Sequence, residues 1–345
     1  MKTLTAPAGV FLKSGPDGGL GAMYRQARAA SGSVDRALTF VAGLADSVPL
    51  PGAGQTLRLW ETLATVAAAD LTVARVLEPH LDAVAITTQA GVAAPGGNWG
   101  VFAAEAAGVQ LEARYSGGQW TLRGTKPWCS LAGSLDRAVV TAHVHEGSAR
   151  RAFMVDLRGP GVKATDGGWV SRGLSEVRSG PATFSDVPAV PLGANQWYLE
   201  REGFAWGAMG VAACWFGGAV GITRLMVRTA QQRRPDQIAL MHLGRVDAAL
   251  HQGQAVLCAA ADAVDAGAAR GMDGSFLAAR VRSIVWRACE QVLESAAHAL
   301  GPAPLAFDEE HARRVADLQI YLRQHHAERD DATLGGMVLG RGAAW

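Results

Sequence analysis

His325 is the side chain best suited by type and spacing to do chemistry. Val315, Leu318, Leu322 and His325 recur at i, i+3, i+7 and i+10, which places the imidazole on the apolar stripe of a helix. With an ordinary pKa near neutrality, such a histidine could act as a base; the alternative is a core histidine bonded to a backbone carbonyl. The same stretch crowds Glu309, Glu310, His311, His326, Glu328, Asp330 and Asp331, and Glu294 and His298 share a helix face. A di-iron bundle needs two Glu-x-x-His motifs on facing helices. These spacings do not supply them, so no metal ligand is assigned and the charges read as a solvated face. There is no P-loop, dinucleotide-binding G-x-G-x-x-G or G-x-S-x-G elbow. A second constellation lies in residues 118–142, where a hairpin arm runs into Gly124-Thr125-Lys126-Pro127-Trp128-Cys129-Ser130. On residue type alone, Trp128 reads as a core aromatic and Ser130 as a turn residue.

The elements that must position these residues separate by periodicity into three regions. From about residue 35 to 86 the pattern is helical. Leu57, Trp60, Leu63, Ala67, Leu71 and Ala74 recur at helix spacing, Pro79 closes the run, and Val48-Pro49-Leu50-Pro51-Gly52 reads as a loop. From about residue 98 to 191, short strands bounded by Gly and Pro take over. Residues 109–115 and 120–123 flank Gly117-Gly118, a hairpin signal because paired glycines tolerate the positive φ of a tight turn. Residues 137–142, 152–156 and 182–184 continue the series. From about Tyr198 onward, long helices are expected at about 201–230, 236–267, 273–300 and 308–334, with breaks at Pro235, 271–274 and Gly301-Pro302-Ala303-Pro304. Four such helices with short joins predict an antiparallel four-helix bundle. The fold class is α+β, with a helical region over 1–97, a β-domain over 98–192 and the bundle over 193–345.

Composition narrows the setting. The 345 residues are 49% hydrophobic and 18% charged, which suits a well-buried globular protein. A net charge of +1 without basic or acidic blocks argues against nucleic acid or an anionic membrane as partner. Cys129, Cys214, Cys258 and Cys289 form no C-x-x-C pair, so a reduced, cytoplasmic compartment is the default. Residues 1–30 lack the charged start and apolar run of a secretion signal. Residues 204–223 carry no charge and are long enough to span a bilayer, with Gly217 and Gly221 at G-x-x-x-G spacing. No aromatic belt or lysine-rich flank marks their ends. They read instead as a central buried helix, glycines marking close helix approach, without membrane insertion.

Four segments in order along the chain resemble the acyl-CoA dehydrogenase family. Residues 118–142 are similar to its flavin-contacting segment, G-x-K-x-W-[IC]-[ST], at Gly124, Lys126, Trp128, Cys129 and Ser130. Gly100-Val101-Phe102-Ala103-Ala104-Glu105 stands where the family has T-E-P-G-A-G-S-D, with Glu105 for its Glu and Ala104 for its Thr. Residues 179–188 resemble S-x-x-x-x-F-x-x-V-x-V-P, and residues 311–318 the R-D-x-x-x helix leading to the catalytic position.

The resemblance implies an acyl-CoA dehydrogenase-like fold with FAD. Phe102, Ala104, Trp128, Cys129, Ser130 and Gln324 would lie beside the flavin, and Ser130 would offer a hydroxyl and a backbone N–H to the reduced ring. Arg234 would reach the pyrophosphate across a subunit contact, in a homodimer or homotetramer. The family's catalytic Glu matches Gln324, His325 and His326, where no carboxylate stands, so His325 is the catalytic candidate. Gly301-Pro302-Ala303-Pro304 replaces a Gly-Gly-x-Gly turn and removes backbone donors, so FAD binding is expected to be weakened, rearranged or lost. The implied reaction is oxidation of an acyl thioester, with acyl-CoA or another small molecule as substrate and FAD as hydride acceptor. The alternatives are a flavin-dependent monooxygenase of the same fold, in which a histidine at a place similar to that of His325 serves the chemistry, or an FAD-less binding or assembly protein.

Overall fold

The structure, a computed structural model, describes residues 8–15, 17–44, 47–144, 149–165, 167–232 and 234–341. Helices α1 (Leu20–Ala30), α2 (Val34–Ala42), α3 (Thr56–Ala69) and α4 (Leu71–Gln89) come first. Helix α1 lies ahead of the region whose periodicity predicts helix; its buried positions are Leu20, Gly21, Ala27 and Ala30, mostly small residues. Pro79 does not close the run. It sits inside α4, where Val76, Leu77, Leu81, Ala83, Ala85 and Ile86 are buried. Burial on both sides of the proline outweighs its cost of about 3 kcal/mol in a helix interior.

Seven strands follow: β1 (Trp99–Phe102), β2 (Leu111–Ser116), β3 (Gln119–Lys126), β4 (Arg137–Val144), β5 (Arg150–Asp156), β6 (Val162–Ala164) and β7 (Ala182–Leu192). Pairing runs β4-β2-β3-β7-β5 and returns from β5 to β4, closing a barrel, with β1 beside β4 and β6 beside β7. The β2–β3 hairpin turns on Gly117 and Gly118, at φ 61° and 82°, with Ser116 opposite Gln119. Phe102, Ala113, Leu122, Ala138, Val140, Phe153 and Phe184 belong to the core that continues into the helices.

After the short α5 (Trp197–Glu200) come α6 (Glu202–Gln232), α7 (Gln237–Asp265), α8 (Gly271–Leu300), α9 (Pro302–Phe307) and α10 (Glu309–Tyr321). Helix α6 is long and apolar enough to cross a membrane, and 67% of its apolar window is buried against the other helices. It packs on α3, α4, α7, α8 and α10. The Gly217/Gly221 pair is its contact with α3: a Cβ on Gly217 would stand 2.1 Å from the Ala64 carbonyl oxygen, and one on Gly221 3.0 Å from that of Ala68. Small residues four apart on both helices let the backbones touch.

The single helix expected over 308–334 is broken. Helix α10 ends at Tyr321, a 3-10 turn covers Leu322–Gln324, His325 is extended, and α11 spans Glu328–Arg341. Side chains take over the local backbone bonds: His325 Nδ1 accepts the Ala327 N–H at 3.1 Å and Asp330 accepts that of His326 at 3.2 Å.

Candidate functional site

The end of β3 is shaped by Gly124, whose φ of 120° coincides with a shift in the β3–β7 register. A Cβ there would lie 2.4 Å from the Gln110 carbonyl oxygen, so only glycine permits the bulge. Two residues on, Lys126 is buried and its Nζ donates to Glu105 Oε1 at 2.6 Å and Thr141 Oγ1 at 3.0 Å. Glu105 also lies 3.4 Å from His143 Nε2 and 3.5 Å from Arg150 Nη1. Burial works to raise the Glu105 carboxyl, but its bonds to Lys126 and His143 hold it below the usual carboxylate value. The ion pair stitches the segment after β1, with Ala104, to the segment after β3, with Trp128.

Trp128 and Leu131 then adopt left-handed backbones, φ 57° and 59°. Non-glycine residues in this region cost about 1–3 kcal/mol and persist where the surroundings over-determine them. Here the Cys129 N–H donates to the Gly180 carbonyl and that of Leu131 to Arg178, both at 2.8 Å. The turn leaves Trp128 57% exposed, Ala104 exposed and Ser130 half-buried, an open shelf with an indole face and a hydroxyl. Ser130 Oγ is 2.7 Å from Ser179 Oγ. The Ser130 N–H, expected to be free for a ligand, is bonded to the Trp128 carbonyl at 3.1 Å. Cys129 and Phe102 point into the core; burial pushes the Cys129 thiol up to about 12, so it is inert packing.

Two spaces flank this turn. One is a 20 Å³ cavity between α4 and the barrel, lined by Arg75, Val76, Pro79, Trp99 to Phe102, Ser130, Leu131 and Leu135. It holds about one water and no aromatic ring. The other is an open groove of 420 Å³ bounded by Val34, Cys129, Leu131 to Ser134, Ala164, Thr165, Glu176 and Arg178.

Behind the small cavity a seam of polar groups enters the helical interior. Arg75 reaches Glu78 at 3.1 Å and stacks over the Tyr321 ring at 5.1 Å; Asp82 pairs with Arg201 at 3.2 Å. Burial pushes Glu78 up to about 7 against the pull of Arg75. Tyr321 meets Trp215 edge-on at 6.3 Å, and Trp215 meets His325 at 6.4 Å. His325 is buried and stacks on Trp286, rings 4.8 Å apart and 13° from parallel. Burial lowers its pKa, and the Nδ1 bond to Ala327 places the proton of the neutral ring on Nε2, 3.8 Å from Asp330.

The Glu105–Lys126 pair thus ties the segment of Phe102 and Ala104 to that of Trp128, Cys129 and Ser130, with Phe102 and Cys129 buried and Ala104 and Trp128 exposed, and His325 lies at the far end of the seam. Gln324 has an exposed side chain beyond α10, and Arg234 is exposed in the turn between α6 and α7. Sequence reasoning missed Arg75, Glu78, Asp82, Trp215, Tyr321 and Arg282, whose guanidinium lies 4.6 Å over the Trp215 ring. The signal for three of them was available: Arg75, Glu78 and Asp82 recur at i, i+3 and i+7 and are the Arg, Glu and Asp residues of this helix.

No family model and no curated protein matches the sequence. Solved structures match along nearly its whole length. A KijD3 in complex with FMN and a dTDP-amino-keto sugar aligns at TM-score 0.78 and 18% identity, covering 95% of each chain. The dibenzothiophene monooxygenase TdsC from Paenibacillus sp. A11-2, bound to FMN and indole, aligns at 0.78 and 17%, covering 94% of this chain and 97% of that one. Butyryl-CoA dehydrogenase from Megasphaera elsdenii aligns at 0.78 and 16%, covering 95% and 99%.

Proposed function

Starting from the acyl-CoA dehydrogenase fold that this chain has, we propose that it is a flavin-dependent oxidoreductase with its ring site on the shelf of Ala104, Trp128 and Ser130. The observation that carries this reading is Trp128, held in a left-handed backbone with its indole exposed while Trp60, Trp99 and Trp215 are fully buried. Backbone strain and an exposed aromatic at one residue are costs that a stacked planar ligand offsets. The residues present fit such a ring: an apolar face from Trp128, a hydroxyl from Ser130, and the adjoining 420 Å³ groove for the rest of the molecule. Bound flavin would supply hydride or electron transfer and, when reduced, reaction with O₂.

This chain's own residues do the remaining work. Ser130, shared with Ser179, offers a hydroxyl at the shelf edge. Arg75 sets a positive charge across the small cavity from Ser130. Arg234 of a second copy would meet the phosphate. Pro302, which opens α9 where a glycine turn would offer N–H donors, favours FMN over FAD. FMN is also what the KijD3 and TdsC complexes contain.

Between the two reactions, oxygenation is favoured. Residues 324–326 provide no carboxylate, and His325 presents Nε2–H, a donor. One observation favours a dehydrogenase: Glu78, pushed up to about 7, is matched to accepting a proton near neutral pH. The visible spectrum of the purified protein, before and after added FMN and FAD, tests the common premise. Substrate-dependent O₂ consumption by the reduced holoenzyme supports oxygenation, and anaerobic bleaching by an acyl-CoA supports dehydrogenation. A colourless protein that takes up neither flavin sinks both and leaves a binding or assembly role.

A further inference from the structure

The left-handed turn at Trp128 and Leu131 is held by two carbonyls, those of Gly180 and Arg178. Both belong to the connection from β6 to β7, and Ser179 between them meets the Ser130 hydroxyl. A hydrogen bond restrains a strained turn only as firmly as its acceptor is itself fixed, and connections over a surface are commonly the most mobile parts of a fold. This connection is fastened from α10.

Asp317, buried on α10, accepts the Leu174 N–H on Oδ1 at 2.6 Å. Leu174 is left-handed at φ 49°, and its carbonyl accepts the Val177 N–H at 3.0 Å, closing a turn whose Leu174 and Val177 side chains are buried. Ser179 Oγ in turn donates to the Val177 carbonyl at 3.0 Å. One residue before Leu174 the backbones touch. A Cβ on Gly173 would stand 1.9 Å from the Ala316 carbonyl oxygen, a clash with backbone that no side-chain movement relieves. Beside this contact Arg313 lies 3.7 Å from Glu176 and 3.0 Å from Asp70, the N-cap of α4, and Thr72 Oγ1 donates to Glu176 at 3.4 Å. A run of bonds through Leu174, Val177 and Ser179 therefore leads from Asp317 to Ser130.

We propose that Asp317 is a positioning residue for the shelf: by holding the Leu174 N–H it fixes the segment whose carbonyls keep Trp128 in its left-handed backbone and whose Ser179 meets Ser130. Burial pushes the Asp317 carboxyl up to about 6, so the site tolerates a neutral group, and Asn, which keeps Oδ1, is the conservative substitute. What the shelf receives rests on the flavin reading; the coupling from Asp317 to the turn stands without it.

The test reads backbone hydrogen exchange in the full-length, flavin-free protein. The reporters are the Cys129 and Leu131 N–H groups, which donate to Gly180 and Arg178. In Asp317→Ala their exchange should accelerate by a factor at least about tenfold greater than that of amides in β2 and β4, because a general loss of stability speeds all of these alike. Asp317→Asn should return them to within about threefold of the wild-type rate. An FMN titration of the same variants should follow the exchange, with Asp317→Ala weakened by about tenfold and Asp317→Asn close to wild type. If Asp317→Ala does not fold by circular dichroism, Gly173→Ala, which pushes the segment off α10 from the other side, decides in its place. Unchanged exchange at Cys129 and Leu131, equal acceleration throughout the sheet, or an Asn variant as fast as Ala would overturn the proposal, and so would wild-type FMN affinity in Asp317→Ala. A wild-type protein that takes up no flavin sinks the flavin reading and leaves the coupling to be read by exchange; flavin uptake with exchange indifferent to Asp317 does the reverse.

Discussion

Lys126 Nζ lies 2.6 Å from Glu105 Oε1, joining a fully buried ammonium to a carboxylate whose side chain is 33% exposed. The pair sits where the chain leaves β1 and where β3 ends, and it ties the segment that carries Ala104 to the one that carries Trp128. Its two halves are unequal, because water, the His143 ring and the Arg150 guanidinium all reach Glu105, whereas Lys126 is buried.

That inequality sets the first prediction. Glu105→Gln leaves a buried ammonium without a counter-charge and should cost about 3 kcal/mol, whereas Lys126→Met leaves a carboxylate with other partners and should cost about 1 kcal/mol. Urea unfolding of both variants measures the difference; equal losses would mean that Lys126 is not the buried member.

Trp128 should separate function from stability. Trp128→Gly relieves a left-handed backbone at an exposed site, so the melting temperature should hold or rise, by up to about 1 kcal/mol of stability. Flavin affinity should fall by about tenfold or more with the stacking face gone. Thermal melts and a flavin titration on the same preparation check both; unchanged flavin affinity would remove Trp128 from the shelf.

Glu78 sets a pH dependence with a definite sign. Its folded-state pKa is raised from 4.5 to about 7, so the fold favours the protonated acid. The stability it contributes is present below the unfolded value and lost as pH rises from about 5 through 7, by up to about 3 kcal/mol. Glu78→Gln should flatten that limb of the stability–pH curve. Asp317, raised to about 6 by burial, contributes the same sign at lower pH and should remain. Chemical denaturation at half-unit pH steps reads the slope, and an unaltered slope in the variant would assign it elsewhere.

The α6–α3 crossing predicts opposite outcomes for one substitution at two helical glycines. Gly217→Ala drives a Cβ to 2.1 Å from the Ala64 carbonyl and should destabilise by more than about 2 kcal/mol. Gly244→Ala, in α7 with nothing within 4 Å, should stabilise by about 0.5–1 kcal/mol through helix propensity. Differential scanning calorimetry of the pair checks the sign of each.

What the sequence determined by itself is what neighbours along the chain decide. The Gly117-Gly118 hairpin, the G-x-K-x-W-C-S segment and the long apolar α6 were legible because turn chemistry, short motifs and periodicity act within a few residues. The break after Tyr321 was not, since the stripe through Val315, Leu318, Leu322 and His325 has helical spacing whether or not the helix continues. Side-chain bonds from His325 and Asp330 end it. Tertiary structure alone decided that Lys126 meets Glu105, that Trp128 faces outward while Cys129 faces in, and that Arg75, Glu78, Trp215 and Arg282 share one interior. Each depends on contacts between residues distant in sequence, where burial and charge balance, rather than local preference, set the outcome.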